Sequence, residues 1–253
     1  MVKERYGLIG KSVSHSFSAT YFNSKFEEEG ISADYRLFDI PSADKIADFV
    51  AETVPELNGF NITSPYKRDI IKYLDEITDE ARRVNAVNLV KVNKDAYGRI
   101  SLKGYNTDIE GFKKSLEGID PKVKALVLGT GGASSAVCCG LDQLGIDYKV
   151  VSRTPAPGEI SYDTANSVLG EKLLIINATP VGMFPNIGKA PAIDYEKLTR
   201  NHICYDLIYN PEKTLFLEKA EARGARTING LQMLYNQAEI GWEIWQSNSK
   251  QEV

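Results

Sequence analysis

Between Lys124 and Thr154 the chain passes through a short apolar strand, a glycine-rich turn, a helix of small residues and a second apolar strand. No other stretch restricts the fold so tightly. Residues 124–134 read Lys-Ala-Leu-Val-Leu-Gly-Thr-Gly-Gly-Ala-Ser, and residues 148–154 read Tyr-Lys-Val-Val-Ser-Arg-Thr. Strand, glycine turn, helix and strand in that order form a parallel βαβ unit with a dinucleotide-binding turn. Gly129 permits the tight turn that ends the strand. Gly131 lets backbone approach a pyrophosphate where a Cβ would stand in the way. Thr130 lies between them, Gly132 adds slack, and Ala133 and Ser134 keep the helix start slim. Free N–H groups and the positive end of the helix dipole then face the phosphates.

The end of the second strand selects the dinucleotide. An NAD site places Asp or Glu there to hold the ribose 2′-hydroxyl. Ser152, Arg153 and Thr154 stand there instead. The planar, permanently charged guanidinium of Arg153 suits a phosphate, so the reading favours NADP.

Composition narrows the remaining classes. The chain has 253 residues, 43% apolar and 25% charged, as in ordinary globular domains. A net charge of −4 gives no electrostatic case for nucleic acid or an anionic membrane. No apolar run approaches the roughly 20 residues that span a bilayer, and residues 1–7 show no signal-peptide core. Cys138, Cys139 and Cys204 form no metal-ligand spacing, and only His15 and His202 could add imidazole. No metal site is expected, and an odd count of three cysteines, two of them adjacent, suits a reducing cytoplasm.

Upstream, apolar patterning predicts strands at 6–10, 35–40, 59–63, 86–92 and 100–105. Helices are expected at 17–29, 42–54, from Ser64-Pro65 to about 84, and at 108–116. Strands alternating with helices imply a mainly parallel sheet. Downstream of Thr154, strands are expected at 172–179, 203–209 and 225–228, and helices at 212–223 and 230–246. The breaker-rich Pro155-Ala-Pro-Gly segment leaves room only for a truncated crossover before residue 172. The fold class is therefore α/β. An N-terminal substrate domain with a mainly parallel sheet (1–108 plus 232–253) accompanies a Rossmann-like domain (109–231), and the last helix packs back on the first.

Polar clusters stand at strand ends and helix starts, where open α/β sheets hold their ligands. Ser14-His-Ser16-Phe-Ser18 follows the first strand; its hydroxyls can bind a carboxylate or alcohol, although plain helix capping explains the cluster when it is taken alone. In Asn61-Ile-Thr63-Ser-Pro-Tyr-Lys67, Ser64 reads as a cap and Pro65 as the first helical residue. Lys67 then falls in the first turn, a poor place for a structural cation and an apt one for a proton carrier. Asn88 enters an otherwise apolar strand. Asp108, in Tyr105-Asn-Thr-Asp108, follows a strand and opens a helix. Asn177-Ala-Thr179 closes a strand and could line a cofactor. On the last helix Met233, Gln237, Ile240 and Ile244 share one face, with Gln237 its polar exception; a ligand hydroxyl or a core partner would satisfy that amide.

Together these motifs resemble the shikimate dehydrogenase family over nearly the whole chain. They are the serines of 14–18, Asn-x-Thr-x-Pro-x-Lys at 61–67, Ala-Val-Asn at 86–88, Asn-Thr-Asp at 106–108, Gly-x-Gly-Gly-Ala-Ser at 129–134, Asn-Ala-Thr at 177–179, and Asn-Gly-Leu-x-Met-Leu-x-x-Gln at 229–237. Ala19 stands where the family commonly has Pro, and Ser152 where it often has Asn. The resemblance implies reversible NADPH-dependent reduction of 3-dehydroshikimate to shikimate in aromatic amino acid biosynthesis. It implies that Ser16 and Ser18 bind the substrate carboxylate, that Thr63, Lys67, Asn88, Asp108 and Gln237 contact ring hydroxyls, and that Tyr209 closes the pocket. Gly129–Ala133 would hold the pyrophosphate and Ser152–Thr154 the 2′-phosphate, with Leu207 and Gly230 beside the nicotinamide. Lys67 and Asp108 form the expected catalytic pair. A quinate/shikimate dehydrogenase with relaxed cofactor use is the nearest alternative; a non-catalytic NADP-binding regulator on the same fold is the more distant one.

Overall fold

Residues 3–14, 16–171 and 173–247 are described by a computed structural model. His15 of the serine cluster and Lys172, expected to open a strand, lie outside the described residues. The chain divides into two units, residues 1–107 with 238–253 and residues 108–237.

The first unit is built on β1 (Glu4–Gly10), α1 (Phe17–Glu28), β2 (Ala33–Asp39), α2 (Ile46–Glu52), β3 (Gly59–Ile62), β4 (Glu76–Ile77), α3 (Asp79–Val84), β5 (Leu89–Lys94) and β6 (Ile100–Tyr105). Its sheet has the order β2-β1-β3-β5-β6-β4. β1 pairs in parallel with β2 and β3, and β4 with β6, but β5 runs antiparallel to β3 and β6. The sheet is therefore mixed. The cause is the β5–β6 hairpin, whose turn is closed by the Asp95 carboxylate accepting from the Tyr97 and Arg99 backbone at 2.8 and 2.9 Å. Gly98 supplies the positive φ of +79° that this turn needs.

Several sequence expectations change here. The helix predicted over 42–54 is a 3-10 turn at Ala43–Lys45 leading into the shorter α2. The strand predicted from Ala86 starts at Leu89, because the backbone N–H of Val87 bonds Lys67 O and that of Asn88 bonds Tyr105 O. No helix starts at Ser64-Pro65. The Ser64–Pro65 peptide is cis, and residues 64–68 form turns before a 3-10 segment at Asp69–Tyr73. The Lys67 carbonyl accepts from Val87 N–H at 2.8 Å. That tertiary bond occupies the acceptor a helix would use. α3 follows its local signals: Thr78 caps it from Ala81 N–H, acids fill its first turn, arginines its last, and Asn85 ends it at φ +50°.

The second unit holds most of α4 (Thr107–Ser115), then β7 (Lys124–Leu128), α5 (Gly132–Leu144), β8 (Tyr148–Ser152), β9 (Ile160–Ser161), α6 (Tyr162–Val168), β10 (Leu173–Asn177), β11 (Ile203–Asp206), α7 (Leu215–Glu221), β12 (Arg226–Ile228) and the first half of α8 (Leu231–Gln246). Its sheet, β12-β11-β10-β7-β8-β9, is parallel throughout. Chain order reverses at β7, so the crevice at the carboxyl ends of β7 and β10 is a topological switch point. The crossover from β8 carries only the seven-residue α6, the truncation expected from its length. α7 is shorter than the helix predicted over 212–223 because Thr214 caps it.

The second half of α8 belongs to the first unit. Trp245 is 6% exposed and donates its indole N–H to Val90 O at 3.0 Å, and a Cβ on Gly59 would stand 2.2 Å from that indole nitrogen. Lys91, buried within β5, donates its ammonium to Ser247 O and Oγ just beyond the helix end. Tyr6 stacks on Trp245 with centroids 4.7 Å apart. An aromatic of this size buries about 150–250 Å², or roughly 4–6 kcal/mol at 25 cal/mol per Å². The helix does not bury the single stripe predicted: Met233, Ala238, Gly241 and Trp245 are its buried positions, and Gln237 is only half-buried. Residues 231–237 and 238–246 fall in different units, so one periodic face need not serve both. No helix of the described residues is long and apolar enough to cross a membrane.

Candidate active site

In the first unit the predicted polar residues gather at one end of the sheet. β1 and β3 run side by side, with Ile9 opposite Ile62, so the segments that follow both strands leave the same edge. Ser16 caps α1, accepting from Ser18 N–H at 3.3 Å. Thr63 extends β3 through its N–H to Ile9 O at 2.9 Å. Lys67 is half-buried in the turn that follows. The neighbouring residue of that turn, Tyr66, is 2% exposed and donates its hydroxyl to Ile40 O at 2.6 Å. This anchor fixes the turn.

Asn88 is the hub. Its Oδ1 accepts from Thr107 N–H at 2.7 Å and its Nδ2 donates to Thr107 Oγ1 at 3.0 Å. Its carbonyl accepts from Asn61 Nδ2 at 3.2 Å, and Asn61 Oδ1 accepts from the Tyr35 hydroxyl at 2.7 Å. Tyr35 is fully buried, its acid pushed well above the ordinary phenol range by desolvation, with Ser18 beside its oxygen. Asn106 donates to Ala86 O at 2.9 Å, while its Oδ1 is buried without a partner. Asn61, Asn88 and Asn106–Thr107, far apart in sequence, are thus locked into one buried array. An amide satisfies donor and acceptor in one plane without charge, which is why asparagine serves this role.

In the second unit Gly129 has φ +110°, and a Cβ there would meet Thr179 Cγ2 at 2.8 Å. Only glycine fits the end of this strand. Ser134 turns its hydroxyl back to Gly129 O at 2.7 Å. Gly131 occupies the cap of α5 with extended backbone, no side chain caps the helix, and nothing lies within 4 Å of a Cβ built on Gly131 or Gly132. Thr130–Ala133 are exposed. An uncapped, exposed helix start with open space above it fits a pyrophosphate. At the end of β8, Ser152 and Thr154 close a small turn, with Thr154 N–H to Ser152 Oγ at 3.2 Å. Arg153 is exposed and makes no ion pair among the described residues; Tyr162 senses its charge. These residues fit the 2′-phosphate of NADP.

The segment after β11 carries Leu207, half-buried, and Tyr209, 39% exposed. Gly230 donates its N–H to Ile208 O at 3.1 Å, and a Cβ there would stand 2.0 Å from Leu207 O, so glycine is required by close approach. Asp108 lies in the first turn of α4. Gln237 donates to Leu234 O at 3.0 Å, so its amide is partly engaged by its own helix.

Sequence reasoning missed Asp206, which ends β11 with 0% exposure. Burial raises its carboxyl to about 6 against the hydrogen bonds of Thr214, Ile208 and Asn177. A lone acid closing an apolar strand reads as an ordinary strand end. The only available signal was that β11 is flanked on both sides in a parallel sheet, which buries its last residue.

Residues 8–90 match the family model described as shikimate dehydrogenase substrate binding domain. A shikimate dehydrogenase (NADP(+)) of Caldicellulosiruptor saccharolyticus is 39% identical over 94% of this chain and 90% of its own. That of Caldanaerobacter subterraneus subsp. tengcongensis is 37% identical over 95% and 90%. The solved shikimate 5-dehydrogenase of Thermus thermophilus, in complex with NADP(H) and shikimate, superposes with a TM-score of 0.84 at 31% identity, covering 96% of this chain and 93% of that one. With the glycine turn, the asparagine array and full-length similarity in agreement, the chain belongs to the shikimate dehydrogenase family.

Proposed function

We propose that this protein catalyses the reversible NADPH-dependent reduction of 3-dehydroshikimate to shikimate, an oxidoreductase step of aromatic amino acid biosynthesis. The observation that carries the reading is the Asn88–Thr107 lock. It fixes the Ala-Val-Asn and Asn-Thr-Asp motifs against each other, at 2.7 and 3.0 Å, beside the segment bearing Thr63 and Lys67. The first unit binds the substrate and the second binds NADP. Ser16 and Ser18 hold the carboxylate. Thr63, Lys67, Asn88, Asp108 and Gln237 hold the ring hydroxyls, and Tyr209 closes over them. Gly129, Thr130, Gly131, Gly132 and Ala133 receive the pyrophosphate, and Ser152, Arg153 and Thr154 receive the 2′-phosphate. Leu207 and Gly230 pack beside the nicotinamide.

NADPH, when bound, supplies the hydride. The carbonyl carbon that receives it leaves an oxygen that must gain a proton. Lys67 gives that proton during reduction and takes it back during oxidation, while Asp108 orients the hydroxyl and shares the proton with Lys67. Asn88, held at both ends of its amide, keeps the hydroxyls in register without moving a proton. The odd count of three cysteines, Cys138, Cys139 and Cys204, supports a cytoplasmic location. The net charge of −4 supports small molecules, and no nucleic acid, as ligands. The test is nicotinamide absorbance with shikimate or quinate and with NADP or NAD. Shikimate with NADP should give the highest kcat/KM. Absence of turnover in folded protein overturns the reading, and equal use of quinate supports the broader dehydrogenase.

A further inference from the structure

Asp206 is an ionisable group in a fully buried position, and the reaction described above does not use it. Such a placement costs stability unless hydrogen bonds or an opposite charge compensate the carboxyl. Three donors from three segments converge on it. The Thr214 hydroxyl donates to Oδ2 at 2.6 Å, and Ile208 N–H and Asn177 Nδ2 donate to Oδ1 at 3.0 Å each. The titratable groups that face it, Tyr195, Cys204 and Tyr205, are neutral, each with its acid pushed up by burial. Asp206 therefore acts as a convergent acceptor rather than as half of an ion pair. A carboxylate accepts at both oxygens and needs no acceptor in return, so it can gather three donors that an amide would satisfy only in part.

Those donors fix two loops. Asn177 accepts through Oδ1 from the Thr179 N–H and hydroxyl at 3.1 and 2.6 Å, and its Nδ2 also reaches Val181 O at 3.2 Å. Its carbonyl accepts from Leu207 N–H at 3.1 Å. On the other side Gly230 N–H holds Ile208 O. Asp206 and Ile208 are buried, Leu207 is half-buried against the core of the second unit, and Tyr209 is exposed. One carboxyl thus sets the direction of two side chains that stand on either side of a pinned residue.

We infer that Asp206 is a positioning residue for hydride transfer, fixing the Leu207–Tyr209 segment and with it the seating of nicotinamide and substrate, while touching neither. The inference rests on the reading of Leu207 and Tyr209 as ligand-facing.

The experiment compares wild type, Asp206→Ala and Asp206→Asn. The first measurement is the primary deuterium isotope effect on kcat with 4-deuterated NADPH and 3-dehydroshikimate, alongside NADPH affinity by fluorescence titration. The second is backbone hydrogen exchange over residues 207–210. Misplacing a reacting centre by about 1 Å costs on the order of 10²-fold. Asp206→Ala should therefore lower kcat by about that factor and raise the isotope effect, with NADPH affinity nearly unchanged because the phosphate-binding turns are intact. Its exchange should rise at 207–210 and not in β7 or β10. Asp206→Asn keeps an oxygen toward Ile208 and Asn177 and should fall between the two. A variant that merely misfolds loses active molecules and leaves the isotope effect unaltered; that result, or unaltered exchange at 207–210, overturns the inference. If Asp206→Ala does not fold, Asp206→Asn carries the same test. Wild type without turnover overturns the functional reading, and this inference with it.

Discussion

Each unit must pin loops at the carboxyl ends of its parallel strands, and the two do so with opposite chemistry. At its buried centre the first unit uses neutral groups, Tyr35, Asn61, Asn88 and Thr107, linked at 2.7–3.2 Å, and at the exposed rim Ser12 N–H donates to the Asp39 carboxylate at 2.8 Å. The second gathers Asn177, Ile208 and Thr214 around the carboxyl of Asp206. A network of amides and hydroxyls has no charge to lose near neutral pH and acts on a nearby substrate through its dipoles alone. A carboxyl-centred network holds more donors but makes the unit's stability depend on protonation. The surfaces presented differ as well. The first unit has buried amides and a half-buried Lys67 in the turn after β3, whereas the second has exposed backbone at the start of α5 and an exposed Arg153.

The largest expected effect breaks the comparison at Lys67. If the amide frame binds and Lys67 moves the proton, Lys67→Ala should lower kcat by roughly 10²–10⁴-fold. KM for shikimate should change little, because the serines and Asn88 remain. Steady-state kinetics in both directions check this. A large rise in KM with kcat preserved would make Lys67 a clamp and move the proton step to Asp108 or a water.

The next effect is on stability, and it sits in the second unit. Burial raises the Asp206 acid from 3.8 to about 6. A group whose acid is raised on folding favours the folded state when protonated. Its contribution is full below pH 3.8 and lost as pH rises through about 6. The difference amounts to about 3 kcal/mol at 1.36 kcal/mol per pK unit. Urea unfolding of wild type and Asp206→Asn at pH 4.5 and 7.5 isolates it: the wild type should lose stability relative to the variant at the higher pH. A difference independent of pH would show that the carboxyl stays ionised in the folded protein.

Arg153 tests the exposed side. Arg153→Ala should weaken NADP by roughly tenfold to a hundredfold, the range of a charge-assisted contact worth about 1.5–3 kcal/mol. NAD use and unfolding should be nearly unchanged, since the side chain is exposed and in no ion pair among the described residues. Equal losses for both cofactors would assign Arg153 a structural role.

What the sequence disclosed follows the same division. The βαβ unit was legible because its signals are local: apolar strands, glycines whose φ or clearance is required, and a strand end without a carboxylate. Asn88 was legible as a polar residue among apolar ones. Lys67 was identified as a proton carrier through a helix that does not form, because the bond from Val87 N–H to its carbonyl joins residues 20 apart and leaves no periodic trace. The antiparallel β5 was hidden for a similar reason, since alternation shows a strand but not its direction. Gln237 was placed on a continuous buried stripe that the helix does not have. Asp206 was invisible because only its tertiary donors distinguish it from a solvated strand end.

The smallest expected effect concerns the clearest sequence feature. Gly131 has φ −82°, which any residue adopts, and nothing lies within 4 Å of a Cβ built there. Its neighbour Gly129, at φ +110° and with Thr179 Cγ2 2.8 Å from such a Cβ, is held by the fold itself. If Gly131 is glycine only to admit a phosphate, Gly131→Ala should leave stability within about 1 kcal/mol of wild type, because the gain of about 0.4–1 kcal/mol from restricting the unfolded chain is offset by alanine's poorer fit at a helix N-cap. The same change should weaken NADP and NAD together, because the pyrophosphate is common to both. Thermal unfolding and a cofactor titration of one variant read both quantities. Stability nearly unchanged with affinity lost assigns the glycine to the ligand. Stability lost with affinity retained would assign it to the fold, and the cofactor side would then rest on Arg153 and the uncapped start of α5.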